Sequence, residues 1–227
     1  MTEKEKMEHQ MLYDANYDKE LEVERLECKS LCQAYNHLPI KDLEGRRDMI
    51  KKILGKTGDN IHIEPDFWCD YGSRIEVGEN FYSNHGLVIL DAGKVTFGNN
   101  VFIAPGCGFH TSGHPIDFER RNQGLEYAYP ISVGNNVWFG AGVQVMPGVS
   151  IGDNVVIGGG GVVGYFIFFY TVGGGDPTRD IHKKKKAEKN RKKERENTAC
   201  VNKKSTFLIL FYLSVCVFAL SICLLPS

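Results

Sequence analysis

The sequence predicts a mainly β protein: a parallel β-helix, with a small helical unit before it and an apolar helix at its C-terminal end. Three observations carry the β-helix. Residues 131–160 divide into five units of six, ISVGNN, VWFGAG, VQVMPG, VSIGDN and VVIGGG. The first position holds Ile131, Val137, Val143, Val149 and Val155, and the third Val133, Phe139, Val145, Ile151 and Ile157, with glycine fourth in all but the unit that carries Met146. Earlier units, IEVGEN at 75, VTFGNN at 95 and VFIAPG at 101, keep the same pattern. A helical period of 3.6 smears a beat of six around its cylinder, whereas short strands with a turn every sixth residue reproduce it. Branched residues suit the strand faces, and Gly, Asn and Asp suit corners with unusual torsions. Stacked coils then share one apolar interior.

The helical unit comes first. MTEKEKMEHQ is charged and lacks the apolar stretch of a secretory signal. Lys19 to Asn36 sets Cys28, Leu31, Cys32 and Tyr35 at helical spacing, and Asp42 to Gly55 sets Met49, Ile50, Ile53 and Leu54 on one face. Asp42 is suited to cap the second helix and Gly55 to end it. The unit covers residues 1–57, and the β-helix follows over 58–181.

One excursion interrupts the coils. Cys107 to Pro130, CGFHTSGHPIDFERRNQGLEYAYP, has 24 residues, four times six, so the beat stays in phase across it. A loop leaving a rigid coil is where function concentrates. At the far end VVIGGGGVVGYFIFFYTV, from Val155, passes from glycine-rich hexads into apolar aromatics.

Charge is unevenly distributed. Residues 179–204 hold twelve Lys/Arg against four Asp/Glu, and the preceding 178 hold 15 basic against 24 acidic residues. An acidic body is unsuited to nucleic acid. The basic stretch 182–205, with KKKKAEKNRKKERE at its centre, reads as a solvated linker suited to anionic lipid. Residues 206–225, TFLILFYLSVCVFALSICLL, carry no charge over a length that spans a bilayer core as a helix. They read as a tail anchor with the body facing the cytosol, or alternatively as read-through of untranslated sequence. The cysteines at 28, 32, 69, 107, 200, 216 and 223 form no CxxC pair and no zinc-finger spacing, so they read as reduced, mostly buried thiols, with no metal assigned.

LYDAN at 12, FYSNHGLVILDAG at 81, SGHPID at 112 and PISVGNNVWFGAGVQVMPGVSIGDN at 130 give residues 7–179 a resemblance to the maltose/galactoside O-acetyltransferases, which are hexapeptide-repeat acyltransferases. The resemblance implies a left-handed β-helix and a homotrimer with active sites between subunits. It implies transfer of acetyl from acetyl-CoA to a sugar hydroxyl, with a maltose-, glucose- or galactoside-like acceptor. His114 is then the general base. An imidazole, titrating near 6.5 in general, can take a hydroxyl proton and return it to a departing thiol.

By the same resemblance Asn84 lies beside the reacting acetyl group, and Tyr82, Asp14, Arg25, Asp70, Asp91 and Trp138 serve the acceptor. Coil packing is the alternative for Tyr82 and Trp138. Asp70 and Ala92 depart from the galactoside branch, with Asp91 beside the missing carboxylate. Coenzyme A is expected along Asn84, Ala141, Gly159, Gly164, Tyr165 and Arg179. The family's Gly-x-Pro-x-Arg motif stands here as Gly175 to Arg179, with eleven residues between Val163 and Gly175, so the last coil is expected to continue in phase. The family's Thr-Lys pair is replaced by Gly164-Tyr165 and its proline corner by Phe168-Phe169. One cationic contact is lost, on the order of 1.5–3 kcal/mol. A catalytically degenerate, membrane-tethered scaffold is the alternative function. The gamma-type carbonic anhydrases share hexapeptide coils and hold zinc with three histidines. Four residues intervene between their paired histidines, whereas three intervene between His110 and His114, so His85, His110 and His114 are not assigned to a metal.

Overall fold

A computed structural model of the chain describes residues 1–164 and Ile167, and the backbone of 172–174 and 179–180. The linker, the apolar segment 206–225 and the side chains of Tyr165, Phe168, Phe169 and Arg179 lie outside the described residues. Among the described residues no helix is long and apolar enough to cross a membrane.

Among the described residues four helices accompany the coils: α1 (Glu3–Glu8), α2 (Lys19–Asn36), α3 (Leu43–Ile53) and α4 (Phe118–Asn122). The sequence reading missed α1. Its signal is Thr2 three residues before Glu5, which form a reciprocal capping box, and Met7 anchors it in the interior. α2 has the predicted bounds, with Asp18 accepting from the Leu21 amide and Cys28, Cys32 and Tyr35 buried. Asp42 caps α3 as expected. Gly55, however, is not a helix-ending turn residue. Leu54 leaves α3 extended, and the Gly55 amide bonds the coil through the carbonyls of Gly72 and Ile75. A Cβ there would collide with the Ser73 carbonyl, so glycine serves close approach.

The coils build three parallel faces. The first stacks 75–77, 95–97, 131–133 and 150–151; the second stacks 61–63, 81–83, 102–103, 138–139, 156–157 and 172–174; the third stacks 67–69, 87–90, 108–110, 144–145 and 162–163. All ten predicted inward positions between Ile131 and Ile157 are buried. Phe81, Phe97, Phe109 and Phe139 form a column with ring centroids 5.2, 4.9 and 5.1 Å apart, edge to face. At the first–second corner Asn80, Asn100, Asn136 and Asn154 all have φ of 57° to 59°. Their side-chain amides bond rung to rung from Asn60 to Asn154 at 2.8–3.0 Å. Asparagine tolerates this left-handed backbone, and the ladder satisfies its amides.

Departures from the beat fall at the third–first corner. Regular coils rise by 18 residues, as in Trp138↔Val156. The lower coils rise by 20, as in Ile61↔Phe81 and Ile75↔Val95, because this corner is two residues longer at 70–74 and 91–94. Val95↔Ile131 are 36 apart because the excursion leaves at the same corner. Its first residues, Gly108–His110, still belong to the third face, so the true departure is 111–130. The last coil does continue, but not in phase. Ile167 pairs with Ile151 and Val172 with Val156, a rise of 16. Four residues separate Val163 from Ile167 where six separate Val145 from Ile151, so two are lost at the Gly164 corner.

Candidate active site

The excursion folds back as a hairpin. Ser112–Gly113 pairs antiparallel with Leu125–Ala128, whose other edge takes Tyr13–Asp14. α4 forms the tip, its Asp117 cap accepting from the Arg120 amide, and Arg121 Nη1 donates to the carbonyls of Pro115 and Ile116. At the base Thr111 is buried and accepts from the amides of Gly93 and Tyr129. The loop carrying His114 is therefore braced at both ends.

His114 Nδ1 lies 3.0 Å from the Leu125 carbonyl. A carbonyl only accepts, so Nδ1 carries the proton and Nε2 presents its lone pair. The side chain is 47% exposed, which leaves Nε2 accessible, and Glu126 Oε1 stands 3.7 Å from it. That separation is too long for a hydrogen bond, but it suits stabilisation of an imidazolium. Burial pushes the Glu126 carboxyl up, opposed by His114 and by its bond to Tyr13. The Tyr13 hydroxyl donates to Glu126 Oε2 at 3.2 Å. Glu126 is the residue sequence reasoning missed. It belongs to no motif, and only the hairpin register sets it opposite His114.

Arg25 on α2 donates to the Tyr71 hydroxyl at 2.9 Å and to the Ala15 carbonyl at 2.6 Å. Asp70 pairs with Lys29 at 3.5 Å. Asp14 sits opposite Leu125, its Oδ1 accepting from the amides of Asn16 and Tyr17. Arg25 and Asp70 act electrostatically on Glu126, so Asp14, Arg25, Asp70 and His114 are brought together with Glu126. Two positions need correction. Asp91 is fully buried, and its Oδ1 accepts from the amides of Asp70 and Tyr71 at 2.9 Å each. It cannot touch an acceptor; it holds the backbone that presents Asp70. Ala92 is likewise buried, in a small core with Met7, Tyr13, Ala15, Leu21, Tyr71 and Ala128.

The other predicted residues lie elsewhere on the coil. Tyr82 and Trp138 occupy outward positions of the second face, in one row with Phe102, so neither packs the interior. Trp138 is 54% exposed, and Tyr82 stacks on His62 at 5.7 Å. Asn84, Ala141 and Gly159 lie along the second–third corner, where the Asn84 carboxamide accepts from the His85 amide. Gly106, Gly142 and Gly160 share that corner with φ of 68° to 70°, and a Cβ on Gly106 or Gly160 would meet nothing within 4 Å. The result is a strip of bare backbone on which an extended ligand could lie closely. Gly164 is on the opposite edge of the third face. His85, His110 and His114 do not converge: their rings bond separately to the Pro65 carbonyl, Gln144 and the Leu125 carbonyl.

Residues 6–58 match the maltose acetyltransferase hexapeptide capping motif, and residues 130–165 match six repeats of the bacterial transferase hexapeptide. A Saccharomyces cerevisiae protein whose name places it among the acetyltransferases is 56% identical over 146 residues, 64% of this chain and 74% of the relative. The chain belongs to the maltose/galactoside O-acetyltransferase family. Among solved members, a maltose O-acetyltransferase from Clostridium difficile 630 superposes with a TM-score of 0.77 at 45% identity, covering 79% of this chain and 95% of that one. A galactoside acetyltransferase in complex with coenzyme A superposes at 0.76 with 40% identity, covering 79% and 89%. The matched capping motif runs from within α1 through α2 and α3 and ends just before the first coil strand at Ile61.

Proposed function

We propose that this protein transfers acetyl from acetyl-CoA to a hydroxyl of a maltose-, glucose- or galactoside-like sugar, with His114 as general base. The observation that carries this reading is the tautomer of His114: Nδ1 is tied to a backbone carbonyl, leaving a half-exposed basic Nε2 beside a carboxylate. Family membership supports the reaction class. Acetyl-CoA supplies an acetyl group already activated as a thioester. His114 takes the acceptor hydroxyl proton as the new C–O bond forms and the C–S bond breaks, then gives that proton to the leaving sulfur. Glu126 stabilises the imidazolium between these two transfers, and Arg25, Asp70 and Asp14 orient the sugar. The bare backbone strip beside Asn84, Ala141 and Gly159 suits the cofactor.

The acid–base group and the cofactor strip lie on opposite edges of the third face. This separation supports a left-handed trimer in which His114 of one subunit meets the Asn84 corner of its neighbour. Exposed Phe102 and Trp138 on the second face supply apolar surface for such packing. In this reading residues 1–57 cap the solenoid of 58–181, and Tyr165 and Arg179 complete the cofactor site. Residues 182–205 link the body to an anchor at 206–225, leaving the body on the cytosolic side.

A second reading, a degenerate tethered scaffold, is favoured by one observation, the two residues missing at the Gly164 corner. Mass spectrometry of sugars incubated with acetyl-CoA and the purified chain separates the two. A monoacetylated sugar ester is expected with at least one member of a maltose, glucose and galactoside panel. Its absence with every sugar, from folded protein, overturns the transferase and supports the scaffold.

A further inference from the structure

Cys28 and Cys32 lie one turn apart on α2, on the side packed against the third face, and Cys69 ends the strand 67–69 of that face. The Cys69 sulfur is 3.5 Å from that of Cys28 and 3.6 Å from that of Cys32, and all three lie within 4.8 Å of one another. None is more than 5% exposed. As mere apolar fillers, three thiols have no need to converge on one point. Sulfurs around a tetrahedral zinc with bonds of about 2.3 Å are about 3.8 Å apart, so two edges of this triangle are already within a few tenths of an ångström of that spacing.

A second buried polar group lies close by. Asp91 is fully buried, and its Oδ2 has no hydrogen-bond partner among the described residues. A buried carboxylate oxygen without a partner calls for a bound water or ion. Its Oδ1 accepts from the amide of Asp70, the residue after Cys69, so the carboxylate belongs to the same corner of the coil as the cluster.

We propose that Cys28, Cys32 and Cys69 bind one zinc ion as thiolates, with a water in the fourth position. Binding deprotonates the thiols and releases their protons to solvent. Three thiolates and a water fill the four positions of a tetrahedral zinc. The ion ties α2 to the first coil between Arg25, one turn before Cys28, and Asp70, directly after Cys69. It therefore stiffens the corner that presents both side chains. The proposal does not depend on acetyl transfer, since its readout is metal content.

The test uses the full chain, reduced, stripped with chelator and reloaded anaerobically. One zinc per chain is expected, and Co(II) in its place should show the thiolate-to-metal charge-transfer and strong visible bands of a tetrahedral sulfur-rich site. Cys69→Ser should bind at least about a hundredfold more weakly, while Cys107→Ser, at a buried thiol outside the cluster, should bind as wild type does. A folded, reduced chain that takes up no metal overturns the proposal. So does a disulfide between Cys69 and either helical cysteine in the native protein, or undiminished loading of Cys69→Ser. If Cys69→Ser does not fold, the Co(II) spectrum of the wild-type chain decides by itself.

Discussion

Replacement of His114 by alanine is expected to lower kcat for acetyl transfer by about 10²- to 10⁴-fold and to leave the KM for acetyl-CoA near its wild-type value. The reason is geometric. His114 sits at the third–first corner, on a hairpin braced by Arg121 at its tip and Thr111 at its base. The cofactor strip runs along the other edge of the third face. In the proposed trimer His114 meets the reacting end of a cofactor held by the neighbour's backbone strip, so removing the imidazole deletes the proton acceptor and leaves that strip's contacts in place. The Leu125 carbonyl loses its donor, but it lies beside a half-exposed position where water can replace it. Steady-state kinetics with both substrates varied checks the expectation. A comparable rise in the acetyl-CoA KM would mean that His114 binds the cofactor instead.

The largest effect on stability is expected at Phe109. Its ring is fully buried and stands edge to face between Phe97 and Phe139, at 4.9 and 5.1 Å. Ile89 and Val145 lie beside it on the neighbouring coils. Phe109→Ala removes the ring from the middle of a column whose backbone is pinned above and below by strand pairing, so the cavity cannot collapse. A cost of about 3–5 kcal/mol follows, which lowers Tm by about 6–20 °C for a body of this size. Ile116→Ala, at a position 97% exposed, serves as a control expected to stay within about 0.5 kcal/mol of wild type. Thermal unfolding at fixed protein concentration measures both.

The hexads were legible because a strand residue's burial depends on its place in the coil, and the coil repeats. Val137, Phe139, Val143 and Val145 declare their inward positions without reference to distant residues. His114 was legible through the short segment SGHP around it. The rest depends on what the coil brings into contact. Glu126 acquires meaning only from the hairpin register that sets it opposite His114. The three cysteines gather because α2 docks a helix turn against a residue about forty positions later, and no local spacing announces that. Asp91 read as an acceptor contact because it stands beside Ala92, yet the longer lower corners turn its carboxylate inward to hold the Asp70 and Tyr71 amides. The lost phase at Gly164 escaped notice because spacing to the distant Arg179 motif was preserved while the corner itself was shortened. The excursion, the longer lower corners and the shortened step all fall at the same corner, which is also where the candidate chemistry lies.

The central claim is that acetyl transfer needs His114 from one chain and the Asn84 corner of another. Mixed oligomers of His114→Ala and Asn84→Ala chains, co-expressed under separate tags and assayed for sugar-dependent thiol release from acetyl-CoA, test it directly. Each variant alone should be inactive. The mixed assembly should recover up to about a quarter of wild-type activity, because random closed assembly joins two intact halves at about one interface in four. A mixture as inactive as either variant alone would contradict the shared site.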